Sequence, residues 1–383
     1  MKQIRDVIVI GSGMIGSAIA LAVSRAGTKR VTLIDKGPLV SGMTRRSPGL
    51  AHPFQAHPLL CELANSSFEF YNRWAMQLGG KNPFVTTGAA AVDFPNAEAS
   101  AQFALWKEHV QNASGIAPNA LQTLYPDISK QFRAAMFTPH AGYADAVLTA
   151  QAFVNAAKER GLDVQTGTQV KQIAVQGRQI LGVKTTTGDI EAPDVIVAAG
   201  GWSERLLAAL GVVLPLRLQR AVIAFYEQPP SVTNDLPMLI DASGAHFVRP
   251  HPYRMSAAGW ISTDANFQNV DALDEYVLPN EYARVQNFLT ACLPEFANTR
   301  PKRAHTVLYE TCADGLPALG RVGNFDGLYI AAGFGASAFA VAPAVGESVM
   351  QMLVDGDATR DISSFHPQRV TLNPNPSATE RGA

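Results

Sequence analysis

The residues best suited to chemistry lie in Gly11-Ser12-Gly13-Met14-Ile15-Gly16, directly after the apolar run Val7-Ile8-Val9-Ile10 and followed by Asp35. Glycines at this spacing suit a dinucleotide. Gly11 permits a tight turn, Gly13 lets backbone N–H groups approach a pyrophosphate, and Gly16 allows a helix to pack closely on the strand. The helix N-terminus adds partial positive charge, and Asp35 can accept hydrogen bonds from a ribose diol. Other polar candidates are dispersed. His52, His246 and His251 could accept a proton, and Arg46, Arg249 and Arg254 carry the planar fork that pairs bidentately with a carboxylate or phosphonate. Each has a plainer reading: a strand-end charge for Arg249 and Arg254, a phosphate contact for Arg46, a hydrogen-bonding or surface group for the histidines. Cys61, Cys292 and Cys312 are far apart and lack metal-ligand spacing, which reads as buried thiols in a reducing, cytoplasmic setting with no bound metal.

The elements that must hold these residues read as a βαβ unit: a strand at 6–10, the glycine turn, a helix at 17–26 and a strand at 30–35. Apolar residues recur at helical spacing over 58–78 until Gly79-Gly80. A helix at 150–160 precedes strands at 163–165, 170–176 and 180–186, which lead through Gly188-Asp189 to a strand at 195–199. Short β segments split by Pro and Gly over 215–263 predict a large antiparallel sheet. A helix at 279–293, a β stretch at 304–310 and a strand at 328–332 running through Gly333-Phe334-Gly335 into a helix complete the pattern. The fold class is α/β: a Rossmann-type nucleotide-binding domain (1–78, 140–210 and 318–371) with an inserted, largely antiparallel substrate-binding domain (79–139 and 211–317) and a flexible tail over 372–383.

Across 383 residues, 31 Lys plus Arg balance 32 Asp plus Glu, so no global field gathers nucleic acid or anionic lipid, and a small-molecule partner is expected. Two apolar stretches, 7–23 and 330–345, are not expected to span a membrane. Glycines break the first, and the second is short and runs into Glu347.

Longer runs carry a family resemblance. Leu33-Ile34-Asp35-Lys36-Gly37-Pro38, the segment from Ser41 to Leu50, Val195-Ile196-Val197-Ala198-Ala199-Gly200-Gly201-Trp202, Tyr309-Glu310-Thr311-Cys312-Ala313-Asp314-Gly315-Leu316-Pro317 and Ile330-Ala331-Ala332-Gly333-Phe334-Gly335 with Ala342-Pro343-Ala344 occur in an order that resembles the D-amino-acid oxidase superfamily, within it the glycine oxidase, sarcosine oxidase and dimethylglycine dehydrogenase group. The resemblance covers nearly the whole chain and implies FAD. It implies FAD contacts from Gly11 to Gly16, Asp35, Lys36, Thr44, Arg45, Arg46, Ser47, Gly49, Leu50, Val170 (reading the adenine), Ala199, Gly200 and Trp202. Gly333, Phe334, Gly335, Ala336, Ser337 and Ala338 would face the pyrimidine edge of the flavin ring.

Departures from the pattern sharpen the expectation. Arg46 stands where dimethylglycine-type enzymes carry a flavin-linking histidine, and the cysteine link of monomeric sarcosine oxidases has no counterpart near Val307, so the FAD is expected to be non-covalent. Tyr309 stands where glycine oxidases hold a carboxylate with arginine, and Ala257 where monomeric sarcosine oxidases place an oxygen-activating lysine. The run Leu308-Tyr309-Glu310-Thr311 is more similar to sarcosine oxidase and proline dehydrogenase β subunits. The resemblance therefore implies oxidation of a small secondary or N-methylated amine or amino acid, such as a sarcosine-, glycine- or aminophosphonate-like compound. Hydride would pass to flavin N5, with O2 or another acceptor closing the cycle. Substrate contacts are expected from Arg249, Arg254, His52, Tyr309 and Ala336, and catalytic roles from His52, Arg46 and Tyr309. Three alternatives stand: a 2-hydroxy-acid oxidoreductase, a flavoprotein subunit of a hetero-oligomer, and a tRNA wobble-uridine modification enzyme, the last opposed by the near-neutral charge. Homo- and hetero-oligomers are both open.

Overall fold

Val7–Ile10, four β-branched residues buried on both faces, forms an interior strand of a six-stranded sheet. The strand order is Asp163–Gln165, Val31–Ile34, Val7–Ile10, Asp194–Val197, Leu328–Ala332, Ala318–Arg321, with the first five parallel and the last antiparallel. This computed structural model describes residues 3–94, 100–233, 235–262, 267 and 269–370, so the tail expected over 372–383 lies outside the described residues.

The chain divides into two units, 1–45 with 146–218 and 309–383, and 46–145 with 219–308. Compared with the division expected from sequence, 46–78 falls in the second unit, where helix Pro58–Asn72 packs on helix Ser100–His109. Residues 309–317 fall in the first, where Thr311 bridges to Phe334.

In the first unit helix Met14–Ala26 packs against helices Ala146–Lys158 and Ala338–Val354. Gly346 makes one of these approaches feasible, because a Cβ there would stand 2.6 Å from the Ala18 carbonyl oxygen. The helix at 335–354 is the one among the described residues with the length and hydropathy to cross a membrane; 56% of its apolar window is buried inside the protein. A second sheet orders Gln3–Ile4, Gly188–Glu191, Gln179–Thr185 and Val170–Gln176. Gly188-Asp189 starts a strand: Thr185 pairs with Gly188, which leaves Thr186-Thr187 as the two-residue turn.

The second unit carries most of an eight-stranded sheet, ordered Arg303–Cys312, Leu216–Glu227, Met255–Ile261, His246–His251, Met238–Asp241, Ala89–Asp93, Ala134–Thr138, Ser114–Ile116. From Leu216–Glu227 to Ser114–Ile116 neighbouring strands are antiparallel except Met238–Asp241 with Ala89–Asp93. The two-residue period of a strand sorts its faces. Val222, Ala224, Tyr226, Val248 and Ala258 join one core with Val285, Phe288 and Leu289 of helix Pro279–Cys292. Phe225, Ala257 and Arg249 form a cross-strand row on the other face.

Candidate functional site

Gly11 adopts φ 105°, and a Cβ on it would meet the Ala198 carbonyl oxygen at 2.4 Å; one on Gly16 would meet Gly11 O at 1.9 Å. Both glycines are required by close packing. Gly13 differs, since the only atom within 4 Å of its added Cβ is Thr44 Oγ1 at 3.2 Å. Gly13 also caps helix Met14–Ala26, with no side chain of its own to bond the first turn, which carries no acidic residue. The Thr44 hydroxyl is thus the near neighbour of a glycine at a helix N-terminus, the arrangement that receives a phosphate anion. The Met14 N–H donates to Thr44 Oγ1 at 3.0 Å, and Ile15 is buried behind it.

Asp35 follows the second strand and is held in place. Its Oδ2 accepts from Ser12 N–H (2.8 Å) and Ser12 Oγ–H (2.7 Å), and its Oδ1 from Gly37 N–H (2.9 Å). A carboxylate so fixed keeps lone pairs for a diol without paying rotamer entropy. Lys36 Nζ lies 4.1 Å from the Trp202 ring centroid. Val170 is buried at the start of its strand and pairs with Thr185.

Two more glycine turns end the neighbouring strands. Ala199-Gly200 follows Asp194–Val197, with Gly200 at φ 53°. Gly333 and Gly335 follow Leu328–Ala332 at φ 80° and 54°, pressed against Cys312 Sγ and Thr311 Cγ2. Phe334 is buried, Ala336 exposed, and Ser337 and Ala338 lead into helix Ala338–Val354. The turns after three adjacent parallel strands thus share one edge of the sheet, where open α/β folds bind ligands.

In the second unit Arg249 is 5% exposed, and no ion pair to it is seen among the described residues. Its Nε donates to Pro48 O (3.0 Å), its Nη1 to Pro250 O (2.8 Å), and its guanidinium carbon lies 4.2 Å from the Tyr143 ring centroid. Burial pushes its pKa down to about 10, against the milder opposing effects of Tyr143 and Asp145. His251 Nδ1 lies 3.2 Å from the same Nη1. Arginine can only donate, so Nδ1 accepts and the imidazole proton sits on Nε2. Burial first, then the charges of Arg249 and Arg303, hold His251 at about 4. Phe225 joins this face, its ring centroid 5.0 Å from that of His251. Beside the cluster opens a cavity of about 550 Å3 whose lining includes Tyr143, Gln228, His251 and Arg254.

Several candidates are placed differently from expectation. Arg46 is spent within the second unit, ion-paired with Glu275 and directed at Thr306 O, while its own carbonyl accepts from His305 Nε2. Arg254 is exposed in the turn between two strands at φ 55°, and its Nη2 donates to Pro229 O and Val232 O. His52 is a poor proton acceptor, because burial lowers its pKa to about 4; its buried Nδ1 has no hydrogen-bond partner. His246 is tied to Asp241 and stacks on Phe288, on the core face. Gly49 and Leu50 serve a small sheet: Leu50 pairs with Tyr143, and a Gly49 Cβ would meet Ala144 O at 1.9 Å. Ser47 Oγ accepts from Gly49 N–H, and Arg45 is exposed. Tyr309 is buried, which pushes its phenol pKa up. Sequence reasoning missed Tyr143, which stacks on Arg249, and Glu310, whose carboxyl faces Gly200.

A largely parallel sheet with glycine turns along one edge, a helix that starts at a glycine and a fixed acidic residue after the second strand define a dinucleotide-binding protein of the doubly wound class. Residues 6–352 match the FAD dependent oxidoreductase family, so the chain belongs to that family and is an FAD-dependent oxidoreductase. It is 22% identical over 380 residues to 4-methylaminobutanoate oxidase (formaldehyde-forming) of Paenarthrobacter nicotinovorans, covering 96% of this chain but 46% of that enzyme. The chain therefore spans about half the length of that relative. It is 25% identical over 346 residues to glycine oxidase of Pseudomonas aeruginosa, covering 88% of this chain and 92% of that one. The solved structure of L-proline dehydrogenase from P. horikoshii superposes with a TM-score of 0.86 at 23% identity, covering 96% of this chain and 98% of the other.

Proposed function

We propose that this protein oxidises a small carboxylate-bearing secondary or N-methylated amine at a C–H bond beside nitrogen, giving an imine that water hydrolyses. The observation that carries the reading is Arg249, a buried guanidinium with no carboxylate in ion-pair contact among the described residues, Asp145 acting on it only at longer range. A buried charge left unpaired is disfavoured unless something else supplies the counter-ion, and an anionic substrate group does so. Tyr143 under the guanidinium and Pro48 O and Pro250 O at its sides fix the fork. Arg254, spent on loop carbonyls, is left outside this anchor. The relatives named above act on 4-methylaminobutanoate, glycine and proline, all of which pair an amine with a carboxylate.

FAD, when bound, supplies a hydride acceptor at its N5. Gly11 to Gly16 and Asp35 would hold its ADP half, with Gly13 leaving room for the pyrophosphate. We take the FAD to be non-covalent: Arg46 offers no nucleophile for a link, and the Cys312 thiol is buried against Gly333, its pKa raised to about 11. The substrate must present a neutral nitrogen, because an ammonium has no lone pair to assist hydride loss. His52 and His251, both near 4, are too weakly basic to take that proton at neutral pH. Burial on this face and the positive charge of Arg303, whose guanidinium carbon lies 4.2 Å from the Phe225 ring centroid, favour the neutral amine instead.

The test is an anaerobic titration of the yellow protein with glycine, sarcosine, dimethylglycine, proline, N-methylaminoalkyl phosphonates and 2-hydroxyglutarate. Bleaching by a carboxylated secondary amine is expected. Bleaching by the hydroxy acid alone would replace the reading with alcohol oxidation. Repeating the titration in air separates oxidase from dehydrogenase, and colour left in an acid-precipitated pellet would refute non-covalent FAD.

A further inference from the structure

Glu310 carries a carboxyl group to the edge of the sheet where the FAD-binding turns lie. A Cβ placed on Gly200 would stand 3.6 Å from its Oε1 and 3.9 Å from its Oε2, so both oxygens face that turn. Its backbone oxygen lies 3.6 Å from where a Gly335 Cβ would be, and the next residue, Thr311, bridges to Phe334. The carboxyl thus sits at the turns that end Asp194–Val197 and Leu328–Ala332. Val7–Ile10, whose own turn holds Gly11 to Gly16, is the neighbouring strand.

No cation compensates it. Among the described residues Glu310 forms no ion pair, and no neighbouring charge displaces its acidity. The turns packed against it, 199–202 and 333–337, contain no titratable side chain. On its own strand the titratable neighbours are Tyr309 and Cys312, both neutral at physiological pH because burial raises them. Beyond the strand, Asp314 is already paired with Arg369 at 2.7 Å.

We propose that Glu310 is a cofactor-binding residue that acts as a neutral carboxylic acid, so that loading FAD transfers one proton from solvent to its side chain. FAD, itself an anion, would bring the pyrimidine edge of its flavin ring to the 333–337 turn, where a carboxylate would be repelled by the ring's carbonyl oxygens and where a carboxylic acid can donate a hydrogen bond. The fold already leans this way: burial, only partly offset by a hydrogen bond to its own backbone, pushes the carboxyl up to about 7. An arriving anion moves it further in the same direction.

The experiment measures FAD affinity of the apoprotein by quenching of FAD fluorescence from pH 6 to 9, for the native chain and for Glu310→Gln. Gln is the isostere of the neutral acid. The two proteins should bind FAD alike at pH 6. Above pH 7 the native Kd should rise by up to about tenfold per pH unit while the variant stays flat. Calorimetric titration of the native apoprotein at pH 8, in two buffers of different ionisation enthalpy, should show uptake of about one proton per FAD. Parallel pH profiles for the two proteins would overturn the proposal, as would a variant weakened tenfold or more at pH 6 or an uptake of zero. If Glu310→Gln fails to fold, the calorimetry of the native protein decides alone.

Discussion

Replacing Arg249 with methionine separates what the side chain does for the fold from what it does for a substrate. Holding the guanidinium in its buried site lowers its pKa to about 10, which corresponds to roughly 3 kcal/mol against the charged form. Methionine removes that penalty and keeps much of the volume. It also deletes the hydrogen bonds to Pro48 O and Pro250 O, at about 1 kcal/mol each, and the contact with Tyr143, worth about 1 to 2 kcal/mol. These terms nearly cancel, so Arg249→Met should shift Tm by less than about 5 °C. Substrate affinity should not cancel. Losing one partner of a buried, hydrogen-bonded charge pair costs about 2 to 5 kcal/mol, or roughly 30- to several-thousand-fold in KM for a carboxylated amine. The assay compares that amine with its analogue lacking the carboxylate, by anaerobic flavin bleaching. The native protein should prefer the carboxylated compound strongly, and the variant should treat the two alike. Equal losses on both compounds, or an unchanged KM for the carboxylated one, would refute the role given to Arg249.

Two further outcomes are expected. Gly11→Ala should yield little folded protein, because its Cβ would stand 2.4 Å from Ala198 O at a positive φ, whereas Gly13→Ala should fold normally and bind FAD at least about tenfold more weakly, its Cβ entering space reserved for the pyrophosphate; equal FAD affinity in Gly13→Ala and the native protein would remove Gly13 from the site. His52, held at about 4 against an ordinary 6.5, binds a proton more readily in the unfolded chain, so its contribution is intact above pH 6.5 and is lost as pH falls toward 4, by at most about 1.4 kcal/mol per pH unit; urea midpoints at pH 6.5, 5.5 and 4.5 should fall less steeply in His52→Gln, and equal slopes would show that His52 is protonated normally in the fold.

The nucleotide turn was legible because each of its steps is local: an apolar run, three spaced glycines, then an acidic residue after the next strand. Even there, helix Met14–Ala26 starts three residues earlier than expected, since the turn's own glycine caps it. Residues 79–145 were illegible for the opposite reason. Ala89–Asp93 is buried at every position, and the short Ser114–Ile116 strand is defined by a distant partner, so neither shows a two-residue alternation. Arg249 and Arg254 look equivalent in sequence, yet one lies mid-strand on the Phe225 face and the other in an exposed left-handed turn. The reach of Arg46 to Glu275, 229 positions away, has no local signature. Glu310 was visible inside a recognisable run, but a glutamate near a strand end is usually a solvated charge, and only the packing of Gly200 against it says otherwise.

The order of strands in the six-stranded sheet has a consequence for biosynthesis. Val7–Ile10 gains Val31–Ile34 as a neighbour almost at once, but its other edge waits for Asp194–Val197, and the third glycine turn waits for the 333–337 segment. At about 5 to 20 residues per second, a ribosome needs on the order of ten to forty seconds to supply the missing strand. During that interval an unpaired Val-Ile-Val-Ile edge is exposed, a ready template for pairing with other nascent chains. Chaperone capture should therefore be strongest on chains stalled before residue 194, and FAD can be taken up only after the ribosome has passed the 330s. A supply of free FAD then acts late, drawing finished chains into the folded state by mass action rather than guiding the early steps.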